Sequence, residues 1–168
     1  MSVSDQLLLT YDYVTRFYDL GKAVDVIFFD YRKAFDLVNH SILISKLRCI
    51  GLGDRVVDWF WDFLSGRSMR VVLSGSSSSY RDVKSGVPQG SVVGPLLFLI
   101  YINHVVEGIS AKFCLFADDL KLYLAFPHDK LKFQDGCASM QRDINLLSAR
   151  SSSWGLKFSA SKCVRLHF

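Results

Sequence analysis

The chain has 168 residues, half of them hydrophobic and 14% aromatic, which excludes a disordered segment and supplies enough apolar surface for a substantial core. Its net charge of +4 permits a nucleic-acid partner without demanding one. Four widely spaced cysteines, with no Cys-x-x-Cys pair, argue against a zinc or disulfide framework, so reduced thiols without disulfide partners are expected.

Taken in order, Ser4 or Asp5 can cap a helix to about Leu20, with Leu8, Tyr11, Val14, Phe17 and Tyr18 as its inward stripe and Gly21 as its stop. Ala23 to Phe29 is β-branched or aromatic at nearly every position, as in a central strand buried on both faces, and it places Asp30 at the strand's carboxyl end. Asn39 to Ser41 caps a second helix to about Cys49, and Gly53-Asp54 opens a third to Leu64. The third helix's Trp59, Phe60, Trp61 and Phe63 could stack on bases, but aromatics at helical spacing are more often core.

Met69 to Leu73 and Tyr80 to Val83 alternate as a hairpin around a Ser/Gly run. Ser85 to Ser91 is a loop by composition, and Gly94-Pro95 leads into a helix reaching about Val106. The longest apolar run, Val92 to Ile102, contains Gly94 and Pro95 and falls short of a membrane span. No basic-then-apolar leader opens the chain, and an intracellular protein, in nucleus or cytoplasm and not secreted, is expected.

Two alternating segments, Ala111 to Leu115 and Leu120 to Phe126, flank Phe116-Ala117-Asp118-Asp119 and predict strands joined by a tight acidic turn. Adjacent carboxylates on a turn repel unless a cation neutralises them, and oxygen-only ligands favour a hard ion such as Mg²⁺. Alone, such a pair is more often simply solvated. Gln134 to Ser153 reads as an amphipathic helix with Met140, Ile144 and Leu147 inward, followed by short strands at Leu156–Phe158 and Val164–Leu166. The sum is an α+β fold, helices packed on an antiparallel sheet. If the strand ending at Asp30 neighbours the acidic hairpin, three carboxylates share one rim.

Four stretches occur in order: Phe28-Phe29-Asp30-Tyr31-Arg32-Lys33-Ala34-Phe35-Asp36, Ser85-Gly86-Val87-Pro88-Gln89-Gly90-Ser91, Phe116-Ala117-Asp118-Asp119, and Trp154-Gly155-Leu156-Lys157-Phe158 with Lys162. Together they resemble motifs A to D of the reverse transcriptases carried by non-LTR (LINE-type) retrotransposons, over nearly the whole chain.

The resemblance implies a polymerase palm over residues 1–168, with incomplete fingers and no thumb, performing two-metal nucleotidyl transfer of dNTPs onto a DNA primer along an RNA template. Asp30, Asp118 and Asp119 would hold Mg²⁺, with Mn²⁺ as a substitute, and the Tyr31 carbonyl would assist. Phe35 would exclude a 2′-hydroxyl by steric contact, and Gln89 and Gly90 would lie along the nucleotide. Lys162 would sit at the leaving pyrophosphate, with Ser159 where the family commonly has Asn. Arg32 and Lys33 would contact phosphate backbone, and Asp36 is expected to satisfy backbone donors. The competing readings are a catalytically inactive remnant that at most binds nucleic acid, and a palm-type nucleotidyl cyclase, against which Phe35 and Pro88-Gln89-Gly90 speak.

Overall fold

A computed structural model describes residues 3–126 and 130–168. In chain order it contains α1 (Val3–Asp19), β1 (Ala23–Phe29), a 3₁₀ turn (Ala34–Leu37), α2 (His40–Cys49), α3 (Asp54–Leu64), four two-residue strands β2 (Ser68–Met69), β3 (Val72–Leu73), β4 (Ser76–Ser77) and β5 (Arg81–Asp82), α4 (Gly94–Ile102), a 3₁₀ turn (Asn103–Val106), β6 (Lys112–Phe116), β7 (Asp119–Phe126), α5 (Lys130–Ser153) and β8 (Val164–His167). These form two compact units. The first takes the chain up to Arg32, His104–Ser153 and Lys157–Phe168; the second takes Lys33–Asn103 and Trp154–Leu156.

The first unit is built on a four-stranded antiparallel sheet in the order β6-β7-β1-β8. Strand β1 is central, as its nearly unbroken apolar sequence predicts. Its register against β7 runs from Ala23↔Phe126 to Phe29↔Leu120, so side chains alternate between two covered faces. Val24 and Val26 join Tyr13, Cys114 and Tyr123 in a buried cluster beneath α1, with Val14, Phe17 and Phe28 packed around it. On the opposite face, Asp25, Ile27 and Phe126 meet Met140 and Ile144 of α5 around a small cavity. Gly136 lets α5 approach the sheet: a Cβ there would stand 2.9 Å from the Phe126 ring.

Helix α1 forms as its cap and stop signals predict, and Val14 and Phe17 of the expected stripe pack on the core, but the rest of that stripe does not. Leu8, Tyr11 and Tyr18 are exposed, while Gln6 and Tyr13 are buried. The polar members of the inner face explain the choice. Gln6 Oε1 accepts from Lys121 Nζ at 2.9 Å, and Thr10 Oγ1 hydrogen-bonds the Tyr123 hydroxyl at 2.8 Å. A helix apolar on two sides is oriented by whichever face satisfies the polar groups opposite it.

The edge strand β8 is pinned through Asp25, a buried carboxylate that accepts from Arg165 and His167, each at 2.8 Å. Leu156–Phe158 makes no strand. Only Phe158 pairs, in a single bridge to Tyr31, because the chain turns again at Ser159, whose carbonyl accepts from the Lys162 and Cys163 amides.

The second unit packs α2, α3 and α4 around fully buried Leu43, Leu47, Leu64, Leu97, Phe98, Tyr101 and Ile102. Asn39 caps α2 by accepting from the Ile42 amide. The aromatics of α3 divide: Val57 and Leu64 fill its buried face, Phe60 and Phe63 are half-buried, and Trp59 and Trp61 are exposed. The predicted hairpin breaks into two short ladders, β2 with β5 and β3 with β4, since Val71, Val72 and Leu73 find nothing to pack on and remain exposed. Helix α4 ends at Ile102 and continues to Val106 as 3₁₀. The four cysteines are free thiols. No described helix is long and apolar enough to cross a membrane.

Candidate active site

The first unit gathers acidic residues where β1 ends and the β6–β7 hairpin turns. Phe116 pairs with Asp119, which leaves Ala117 and Asp118 as a two-residue turn. Ala117 takes a left-handed backbone, φ 51°, a strain of about 1 kcal/mol or more for a residue with a Cβ. Because Phe29 opposes Leu120, the next step across the pair brings Asp30 and Asp119 side by side, on the face that carries Phe28 and Lys121.

These carboxylates feel one another. The Asp119 carboxyl is raised above its usual range, first by burial and then by the like charge of Asp118; Lys121 opposes the shift and Asp30 adds to it. Asp30 Oδ1 is buried with no hydrogen-bond partner, whereas Oδ2 lies 3.5 Å from the Lys162 ammonium. A buried carboxylate oxygen left unpaired is costly and suits a cation. The three carboxylates are nevertheless spread along the rim. Among the described residues no group of three or more His, Cys, Asp or Glu side chains is close enough to form a ready-made metal site.

Tyr31 turns its backbone, not its side chain, toward this rim. Its ring is buried, stacked on Phe158 at 4.4 Å, and its hydroxyl hydrogen-bonds Ser151 at 2.8 Å. The bridge to Phe158 uses the carbonyl of Asp30 and the amide of Arg32, so the Tyr31 carbonyl turns to the other side of the strand, that of β7. Ser159 binds this strand end through its amide, which donates to the Asp30 carbonyl at 2.8 Å.

Phe35, Gln89 and Gly90 belong to the second unit. There the loop of Ser85 to Gln89 is tied to the segment of Phe35 to Val38: the Gly86 amide donates to the Val38 carbonyl, the Val87 amide to Phe35, and Ser85 Oγ to Asp36. Phe35 stacks on Phe98 at 4.3 Å. Gln89 Nε2 donates to Asp36 Oδ1 at 3.1 Å, so the Asp36 carboxylate serves a side-chain amide and not the backbone donors expected of it. Gly90 is exposed with φ 78°. Beside this loop lies a cleft of about 770 Å³, whose lining includes Lys33, Asp36, Arg67, Lys84, Gly86 and Gln89. Arg67 is fixed there by donating to the carbonyls of Leu64 and Gly86.

Sequence reasoning passed over Lys121 and Gln6. Both are buried, yet Lys121 reads as one polar residue inside an apolar strand. The available signal was its spacing, two residues beyond Asp119 and therefore on the same face.

An antiparallel sheet backed by helices, with carboxylates at the end of its central strand and on the adjoining hairpin turn, is the layout of a polymerase palm. Residues 5–167 match the family model described as reverse transcriptase (RNA-dependent DNA polymerase). The chain is 25% identical over 154 residues to a Pol polyprotein from the type-1 retrotransposable element R2 of Popillia japonica, covering 87% of this chain and 25% of that protein. It is 27% identical over 149 residues to the RNA-directed DNA polymerase from mobile element jockey of Drosophila funebris, covering 84% of this chain and 16% of that one. In fold it resembles a Candida albicans telomerase solved with a fragment of telomeric RNA, with a TM-score of 0.71 and 14% identity, over 98% of this chain and 30% of the other. The chain belongs to the reverse transcriptase family, and it spans a quarter or less of the length of these two retrotransposon relatives.

Proposed function

We propose that this chain is the palm portion of a retrotransposon RNA-directed DNA polymerase, which extends a primer 3′ end with dNTPs along an RNA template inside the cell. The observation that carries the reading is the rim itself: Asp30, with its unpartnered buried Oδ1, faces Asp119 across β1 and β7, and Asp118 stands on the adjoining turn. Asp30, Asp118 and Asp119, with the Tyr31 carbonyl, are the groups that would hold Mg²⁺. When bound, paired divalent ions ease deprotonation of the attacking 3′-hydroxyl and neutralise charge on the departing phosphates.

The chain's own residues orient and select. Phe35, held rigid by its stack on Phe98, presents a flat ring that rejects a nucleotide bearing a 2′-hydroxyl. Gln89 and Gly90 lie along the nucleotide, on a loop whose backbone is fixed by the Phe35 to Val38 segment. Lys162, exposed and within reach of Asp30, offers positive charge to the leaving pyrophosphate. Lys33, Arg67 and Lys84 line a cleft suited to phosphate backbone.

The test is primer extension on an RNA template by the protein that carries this chain. Asp30→Ala or Asp118→Ala is expected to lower incorporation by about three orders of magnitude or more with an unchanged circular dichroism spectrum. Extension at the parent rate by either variant would overturn the assignment. Absence of extension by the parent protein itself would favour the inactive remnant.

A further inference from the structure

Lys121 is the one buried lysine or arginine among the described residues. It projects from β7 on the same face as Asp119, opposite Phe28, whose ring centroid lies 5.3 Å from the ammonium. The ammonium donates to Gln6 Oε1 at 2.9 Å. Gln6 is itself buried, and its Nε2 has no partner, so this amide contributes an acceptor to the lysine while leaving its own donor unsatisfied. Burying an ammonium and an unpaired amide together is expensive. An apolar side chain at both positions would serve the α1–sheet contact better, and the pair therefore points to a role at the neighbouring carboxylate rim.

We propose that Lys121, fixed by Gln6, is a positioning residue that keeps the divalent-cation affinity of the empty rim low, so that the phosphates of an incoming nucleotide are needed to retain the metal. The inference rests on the reading of Asp30, Asp118 and Asp119 as metal-holding groups. Its basis is electrostatic. A unit positive charge held two residues from Asp119, on one face and away from bulk water, repels an incoming divalent ion that the carboxylates attract. At the effective dielectric of a protein surface, such a charge weakens binding about tenfold or more. Anchoring by Gln6 keeps the ammonium from swinging out to solvent, where it would be screened.

The experiment measures Mn²⁺ binding to the whole 168-residue chain, without nucleotide, from the loss of the free-ion paramagnetic resonance signal. Lys121→Met is expected to bind Mn²⁺ about tenfold more tightly than the parent, and Lys121→Arg, which keeps the charge, to bind like the parent. Lys121→Gln provides a second neutral variant if the methionine variant fails to fold. Unchanged affinity in a folded neutral variant overturns the inference. Asp30→Ala and Asp118→Ala separate this failure from that of the underlying reading. If they lose Mn²⁺ while the neutral variants match the parent, Lys121 alone was misread. If they bind Mn²⁺ as the parent does, the ion is not at the rim and both readings fall.

Discussion

Gly86 lies so close to the backbone of Asp36 that a Cβ added there would stand 2.8 Å from both the Cα and the carbonyl oxygen of Asp36. The approach locks the Ser85 to Gln89 loop onto the segment after β1, with the Gly86 carbonyl receiving Arg67 and standing 2.9 Å from His40 Nε2. Gly86→Ala is expected to destabilise by about 3 kcal/mol or more, from steric overlap added to left-handed strain. Gly51→Ala is the control. Its φ of 85° is nearly the same as the 84° of Gly86, but the space beside it is open, so strain alone should cost about 1–2 kcal/mol. Urea unfolding of the two variants measures the difference.

Tyr31 gives an alkaline signature. Burial pushes its phenol up to about 12, with the Ser151 hydrogen bond opposing and Cys163 adding. The folded chain thus keeps a proton that the unfolded chain releases near pH 10. The stability this supplies is complete below pH 10 and is lost as pH rises toward 12, on the order of 2–3 kcal/mol in all. Tyr31→Phe is expected to flatten the fall in stability over that window, as read by denaturant midpoints at successive pH values.

Asp143, buried in α5, accepts from the Ser110 and Ala111 amides and from Ser110 Oγ, the last two at 2.8 and 2.9 Å. It anchors the entry to β6 and hence the strand that leads to the acidic turn. Asp143→Ala leaves both amides unpaired and is expected to cost about 2–4 kcal/mol. Hydrogen exchange should then quicken at Ser110 and Ala111 before it does in β1.

Lys162 separates stability from activity. Its ion pair with Asp30 spans 3.5 Å and is two-thirds exposed on the lysine side, so Lys162→Met should change stability by less than about 1 kcal/mol. If Lys162 serves the departing pyrophosphate, primer extension should fall about 100-fold or more in the same variant. Lys162→Arg should recover part of the rate. A rate equal to the parent's in Lys162→Met would remove Lys162 from the site.

Local signals carried much of this protein. Strand β1 runs over Ala23–Phe29 as its β-branched and aromatic composition predicts, because a strand covered on both faces needs no other information. Asn39 caps α2, α3 runs over Asp54–Leu64, Asp30 falls at a strand end and Asp118 on a hairpin turn, with Asp119 the first residue of β7. Each depends on residues adjacent in the chain, where capping, turn geometry and alternation act.

Tertiary structure decided which surfaces became interior. Leu8 and Tyr11 of α1 lost the core to Gln6, Thr10 and Tyr13, because Lys121 and Tyr123 on the sheet required hydrogen-bond partners more than α1 required apolar burial. The tryptophans of α3 stayed outside because Val57 and Leu64 take its buried face. The sequence by itself determined the order of elements and the carboxylates they carry. Only long-range packing determined that a lysine is buried beside those carboxylates and that Gly86 touches Asp36, since burial depends on partners that neighbouring residues do not specify.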